Sequence, residues 1–302
     1  MKAWPRGALA LAALLWAAPL PAGAQDAGAV DDAAIRRGEY LFHAGGCAGC
    51  HTDVKNKGPV GAGGRAIPTP FGTFYGPNIT PDREFGIGAW SKDDFRRALR
   101  DGVRPDGGPY FPVFPYTSFT KIVDNDASDL WAYLRSLPPA ARANKPHDVT
   151  FPFNLRFMQH FWKVLFFASG PFQADPARSA EINRGAYLTQ ALGHCGECHT
   201  PRNLFGGAKA LRALAGTPDG PEGAQVPNIT PDAATGIGKW SRADFDDLLA
   251  QGMTPDGDFV GATMAEVVRE TTSNLSQSDR KAMIAYLRSL PPIQNQVRKT
   301  PR

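Results

Sequence analysis

Cys47-Ala48-Gly49-Cys50-His51 and Cys195-Gly196-Glu197-Cys198-His199 hold all four cysteines of this 302-residue chain. The order Cys-x-x-Cys-His attaches c-type haem: two thiols form thioethers to the vinyl groups, and the adjacent imidazole ligates the iron. Two Cys-x-x-Cys pairs could instead build a four-thiolate zinc site or two redox disulfides. The histidine after each pair, together with an export signal at the start of the chain, favours two covalently bound haem c groups with iron on His51 and His199.

Working outward from the two motifs, the surrounding sequence repeats as well. Arg37-Gly38-Glu39-Tyr40-Leu41 matches Arg184-Gly185-Ala186-Tyr187-Leu188 at an offset of 147, and the Cys-x-x-Cys-His runs match at 148. Pro77-Asn78-Ile79-Thr80-Pro81-Asp82 recurs at 227–232, and Trp90-Ser91 recurs as Trp240-Ser241, both at an offset of 150. Ala132 to Pro139 matches Ala285 to Pro292 at 153. Offsets that drift by a few residues mean loop insertions between fixed elements, so one domain is written twice.

Residues 1–24 read as a signal peptide: Lys2 and Arg6 precede an apolar run from Ala8 to Ala18, and Ala22-Gly23-Ala24 supplies a small-residue cleavage site. Cleavage after Ala24 predicts a periplasmic protein, soluble or peripherally attached to a membrane, with no transmembrane segment in the mature chain. The alternative is an uncleaved N-terminal anchor, for which the run is short. Formal charge falls from +4 to +2 once Lys2 and Arg6 are removed, too small a balance to imply nucleic acid.

Each repeat predicts three helices and an all-α fold. The first leads into the haem motif, over about Asp31–Ala44 and about Ala177–Leu192, with Gly38 and Gly185 placed to let it cross the last helix closely. The second starts after Ser91 or Ser241, each an N-cap candidate with Asp three residues on. The third runs to Leu137 or Leu290 and stops at a Pro-Pro pair. Between the copies, Phe151 to Phe167 is dense in aromatics, which is wrong for a flexible linker. Either it packs as a short helix across both domains, or it presents an exposed patch to a partner or a membrane.

These pieces in combination resemble the multi-haem cytochrome c subunits of bacterial membrane-associated alcohol, aldehyde and gluconate-type dehydrogenases. The resemblance implies two tandem class I cytochrome c domains, residues 25–145 and 176–302, joined by an aromatic-rich bridge at 146–175. It implies electrons received from a partner dehydrogenase and delivered to another cytochrome, an oxidase or a quinone-linked acceptor. Family members typically carry three such domains and a C-terminal membrane-binding segment. This sequence stops soon after its second motif domain, which puts direct quinone reduction in doubt and likens it to shorter two-haem relatives.

In that family a Met in a loop before the last helix often completes the iron. Met264 stands in that place, with Met253 as runner-up and Met283 read as core. The offset of 150 puts Phe114 opposite Met264, and Phe cannot ligate iron. The sixth position of haem 1 therefore falls to Met158 in the bridge, then His160 or His147, or it stays open. His43 and His194 are read as structural or surface residues. Trp90 and Trp240 are candidates to donate an indole N–H to a haem propionate, against ordinary aromatic core. No flavin or nicotinamide fingerprint is present, so an electron carrier without bond-making chemistry is expected. The alternatives that use the Phe114 vacancy are a two-haem oxidoreductase, thiosulfate dehydrogenase-like or peroxidase-like, and a gas sensor.

Overall fold

The computed structural model describes Met1 and residues 31–298. The export segment expected at residues 1–24 lies, apart from Met1, outside the described residues.

Two crossed helix pairs frame the repeats: α1 (Asp32–Ala44) with α5 (Asp124–Ser136), and α7 (Ala180–Tyr187) with α11 (Gln277–Arg288). Glycine is required at both crossings. A Cβ on Gly38 would lie 2.0 Å from the Asp129 carbonyl oxygen, and one on Gly185 would lie 1.9 Å from that of Ala282. Neither backbone can yield, so a side chain there would force the helices apart. Helix α7 runs on into a single π turn, Leu188–Leu192.

The second helices are α3 (Lys92–Asp101) and α9 (Arg242–Gln251). Each begins in a capping box, Ser91 with Asp94 and Ser241 with Asp244, and each ends on a glycine with positive φ. Phe95, Ala98 and Leu99 on α3, and Phe245, Leu248 and Leu249 on α9, recur at i, i+3, i+4 and turn one face of each helix inward. Residues from both repeats, among them Phe42, Leu130, Leu192 and Met283, join in one hydrophobic cluster.

Among the described residues, five further α-helices fall outside the three-per-repeat pattern: α2 (Cys47–His51), α4 (Tyr116–Phe119), α6 (Met158–Phe166), α8 (Gly196–His199) and α10 (Ala262–Glu270). Met264 thus lies inside a helix rather than a loop. The difference from Phe114 is written in the prolines. Pro112 and Pro115 flank Phe114, remove amide donors and disfavour helix before them, so α4 starts only at Tyr116. The second repeat has no proline there, and its helix runs through Met264.

The all-α expectation needs one correction, a small antiparallel sheet in the order β1-β2-β3. Strands β1 (Ala66–Thr69) and β2 (Gly72–Tyr75) form a hairpin in register Ala66↔Tyr75 to Thr69↔Gly72. Strand β3 (Asp148–Val149) arrives from beyond Pro138-Pro139 and pairs Asp148 with Thr73. Strands of two to four residues are too short for an alternating pattern to show, and the third partner is remote in sequence.

Among the described residues no helix is long and apolar enough to cross a membrane. Helix α6 has no buried residue, yet it touches both repeats. Trp162 donates its indole N–H to the Phe205 carbonyl at 2.8 Å, Lys163 donates to the Asp101 carbonyl, and the rings of Trp162 and Tyr116 meet edge to face. Just before the helix, Arg156 donates to the Pro109 carbonyl at 3.0 Å and lies over the Phe111 ring.

Candidate functional site

Each Cys-x-x-Cys-His run forms a short helix at the end of its repeat's first helix, and the two histidines are held alike. His51 Nδ1 lies 2.7 Å from the Pro77 carbonyl oxygen, and His199 Nδ1 lies 2.8 Å from that of Pro227. Burial lowers both imidazole pKa values, partly opposed by the carbonyl contact. The neutral ring therefore carries its proton on Nδ1 and leaves the Nε2 lone pair for a metal. The anchoring carbonyls belong to the repeated Pro-Asn-Ile-Thr-Pro-Asp runs, whose recurrence was visible in the sequence although their role was not.

Those runs are themselves clamped. Asn78 accepts from the Thr80 amide and hydroxyl at 2.9 and 2.7 Å and donates to the carbonyls of Ala140 and Arg142. Asn228 accepts in the same way from Thr230 and donates to the Ile293 carbonyl. Gly63 and Gly216 donate to the His51 and His199 carbonyls, both at 2.7 Å. Both glycines have positive φ, and a Cβ on either would press 2.6 Å from the amide nitrogen of Asn78 or Asn228.

Burial pushes the Cys47 and Cys195 thiols up to about 12 and the Cys198 thiol up to about 11. Among the described residues, no three His, Cys, Asp or Glu side chains converge as metal ligands. Five buried side-chain oxygens among the described residues lack a partner, and two of them, Gln159 Oε1 and Thr263 Oγ1, neighbour Met158 and Met264 in sequence. The donor set and these unpaired groups fit a covalently held haem in each repeat.

The sequence-expected residues divide by position. Met264 is half-buried on α10, while Met158 is exposed at the start of α6. The Arg156 and Trp162 contacts nevertheless carry α6 along the 109–116 loop that holds Phe114. Met283 is fully buried core, and Met253 sits in a turn bridged to Phe259. His147 accepts from the Tyr75 amide at 3.2 Å and packs against Phe74 and Phe111. His160 is exposed on α6, His43 lies 3.4 Å from the Glu270 carbonyl, and His194 packs on Phe119. Trp90 and Trp240 are partly buried against the core.

Sequence reading missed the seam between the repeats, which has approximate two-fold symmetry. Tyr40 donates to Asp279 of the second repeat at 2.6 Å, and its counterpart Tyr187 donates to Asp126 of the first at 2.6 Å. Each hydroxyl also accepts from the backbone just before that aspartate, Ser276 at 3.1 Å and Val123 at 3.4 Å. The seam runs beside both motifs. Glu197, within the second, accepts from Thr117 and Ser118 of α4 at 2.7 and 2.6 Å and pairs with Arg202. Burial alone would raise the Glu197 pKa, but Arg202 and the two hydroxyls outweigh it and hold the carboxyl below its ordinary value. At the first motif, Glu266 of α10 pairs with Arg65, which donates to the Gly49 carbonyl at 2.6 Å. Each repeat's distal helix thus packs on the other repeat's motif.

Residues 35–138 and 182–291 match the protein-family model described as cytochrome c. A diheme cytochrome c-type protein of Cereibacter sphaeroides is 47% identical over 263 residues, covering 85% of this chain and 86% of that protein. A nicotinate dehydrogenase subunit of Pseudomonas putida is 41% identical over 283 residues, covering 92% of this chain but 23% of its own length. The cytochrome c subunit of a quinone alcohol dehydrogenase of Gluconobacter oxydans is 37% identical over 290 residues, covering 94% of this chain and 60% of its own. The chain therefore spans less than two thirds of the latter two relatives.

Proposed function

Because this chain belongs to the cytochrome c family, we propose that it is a periplasmic two-haem electron carrier serving a partner dehydrogenase and a downstream cytochrome or other respiratory acceptor. The observation that carries this reading is the meeting of two complete attachment motifs across one seam, each braced by the other repeat. Two relatives are named as dehydrogenase subunits, which supports the class of donor.

Haem c, when bound, supplies a one-electron iron(III)/iron(II) couple. The chain's own residues set the conditions for it. Cys47 with Cys50, and Cys195 with Cys198, would tether the haem covalently. His51 and His199 offer neutral Nε2, oriented by the Pro77 and Pro227 carbonyls. Met264 offers a thioether to haem 2, and Met158, carried along the Phe114 loop by the α6 contacts, offers one to haem 1. Trp90 and Trp240 stand as propionate donors. Residues 146–175 serve as the bridge that fixes the two domains, through Trp162 and Lys163.

The test is reduction of the purified holoprotein by a purified dehydrogenase encoded beside it, in the presence of that enzyme's substrate. Growth of reduced c-type absorption bands is expected. Bands that develop only with a chemical reductant, alongside turnover of thiosulfate or peroxide, would overturn the carrier reading. Phe114 favours that second reading, a two-haem oxidoreductase with substrate access at haem 1.

A further inference from the structure

Helix α6 turns apolar side chains towards solvent. Its inward contacts are made by Trp162, Lys163 and Phe166, whereas Phe157, Phe161, Val164 and Leu165 recur at helical spacing on an outward face. Phe161, Val164 and Leu165 are 67%, 85% and 71% exposed. The surface continues beyond the helix. Trp162 is bonded to Phe205 and Phe166 lies against Gly207, which joins α6 to a turn where Leu204 and Phe205 are 94% and 70% exposed. Phe71, in the β1–β2 turn, packs against Phe153 and beside Gly206 and extends the patch to exposed Phe151. Contiguous apolar surface drawn from several chain segments marks an interaction site rather than scattered exposed residues.

Charge indicates what covers it. Residues 149–174 and 198–218, which supply most of the patch, contain no Asp or Glu, while they carry Arg156, Lys163, Arg202, Lys209 and Arg212. Lys209 and Arg212 are exposed on either side of exposed Leu211. Arg202 is paired with Glu197, and Lys163 and Arg156 turn inward to the Asp101 and Pro109 carbonyls, which leaves exposed Lys209 and Arg212 as the cations at the edge of the patch. A Phe-rich face with such cations at its edge matches an anionic bilayer, where apolar groups enter the headgroup boundary and Lys or Arg meet lipid phosphates. Nine residues of helix rise only about 14 Å, so α6 fits the plane of the interface and not a span. We propose that this face docks the protein on an anionic membrane surface, with α6 and the Leu204–Phe205 turn as the inserted elements.

The inference does not depend on the electron-carrier reading, and its test reads partition rather than redox activity. Holoprotein is sedimented with vesicles of phosphatidylcholine alone or mixed with phosphatidylglycerol, and the bound fraction is read from haem absorbance. Wild type is expected to bind the anionic vesicles more than about tenfold better, with the preference lost in 1 M salt, where screening reaches about 3 Å. Phe161→Ser with Leu165→Ser should weaken binding by more than about tenfold, and Lys209→Glu should weaken it on anionic vesicles only. Val164→Asp, at the most exposed position of the helix, replaces the double variant should that variant lose its native haem spectrum. Failure of wild type to sediment with anionic vesicles at low salt, or equal binding by the apolar-face variant, would overturn the proposal. Loss of a dehydrogenase complex in that variant, with vesicle binding intact, would assign the patch to a protein instead.

Discussion

Removing the hydroxyl of Tyr40 or Tyr187 is expected to loosen the seam unequally. A hydrogen bond to a charged group contributes about 1.5–3 kcal/mol, and a stranded buried partner adds to the loss. Tyr40→Phe removes the 2.6 Å bond to buried Asp279 and the acceptor for the Ser276 amide at 3.1 Å, at the N-cap of α11. Asp279 keeps its two bonds from Arg184, so a loss of about 2–3 kcal/mol is expected. Tyr187→Phe removes a bond to Asp126, which is only half-buried and open to replacement by water, and a weak 3.4 Å contact from Val123. Its loss should be about 1–2 kcal/mol. Urea unfolding of the holoprotein, followed by circular dichroism and by proteolysis between the repeats, measures both. Losses within about 0.5 kcal/mol of zero, the scale of neutral surface changes, or a reversed order of the two variants, would refute the seam as a stabilising element.

Acid should act on the same seam. Burial raises the Asp279 pKa, but Arg184 and Tyr40 outweigh it and leave the pKa lowered; a depressed folded pKa means stability that is present above the unfolded value of about 3.9 and lost as pH falls through the folded value. Unfolding midpoints should thus drop below about pH 4, and Asp279→Asn should flatten that limb; an unchanged limb would exclude Asp279. Met264→Ala should abolish the sulfur-to-iron charge-transfer band of one haem while pyridine haemochrome still finds both, and survival of the band would remove Met264 as ligand. Cys195→Ser should compromise attachment in the second repeat only, so complete haem loss from a folded protein would contradict independent sites. Met158→Ala should open haem 1 to carbon monoxide; slow, identical binding by variant and wild type would direct attention to His160 or His147.

The attachment motifs, the duplication and the Ser91 and Ser241 capping boxes were legible because each is local: a few residues at fixed spacing carry the chemistry. Gly38 and Gly185 were legible as a packing device because their helices were. Contacts remote in sequence were not. Tyr40 and Asp279 lie 239 residues apart, and the repeated Arg-Gly-x-Tyr-Leu motif gave no sign that its Tyr leaves its own domain. The Pro77 and Pro227 carbonyls are backbone groups, which the identity of a residue does not advertise. Strand β3 and α10 show the limit from the other side, since two residues are too few for periodicity and helix through Met264 depended on the absence of the prolines that flank Phe114.

The exchange of Tyr–Asp bonds across the seam has the form of an isologous dimer contact, in which each partner gives and receives the same interaction. A true dimer of one gene product would be bound to identical ligands on both sides, because any substitution appears twice. Joined in a single chain, the halves keep the mutual grip and are released from that constraint. Phe114 can stand in one repeat where the proposed ligand Met264 stands in the other, and Pro112 and Pro115 can delay the start of α4 while α10 runs through Met264. On the proposed ligand set, a symmetric scaffold would then hold two haems of different potential, so the order in which charge visits them could be set within one chain.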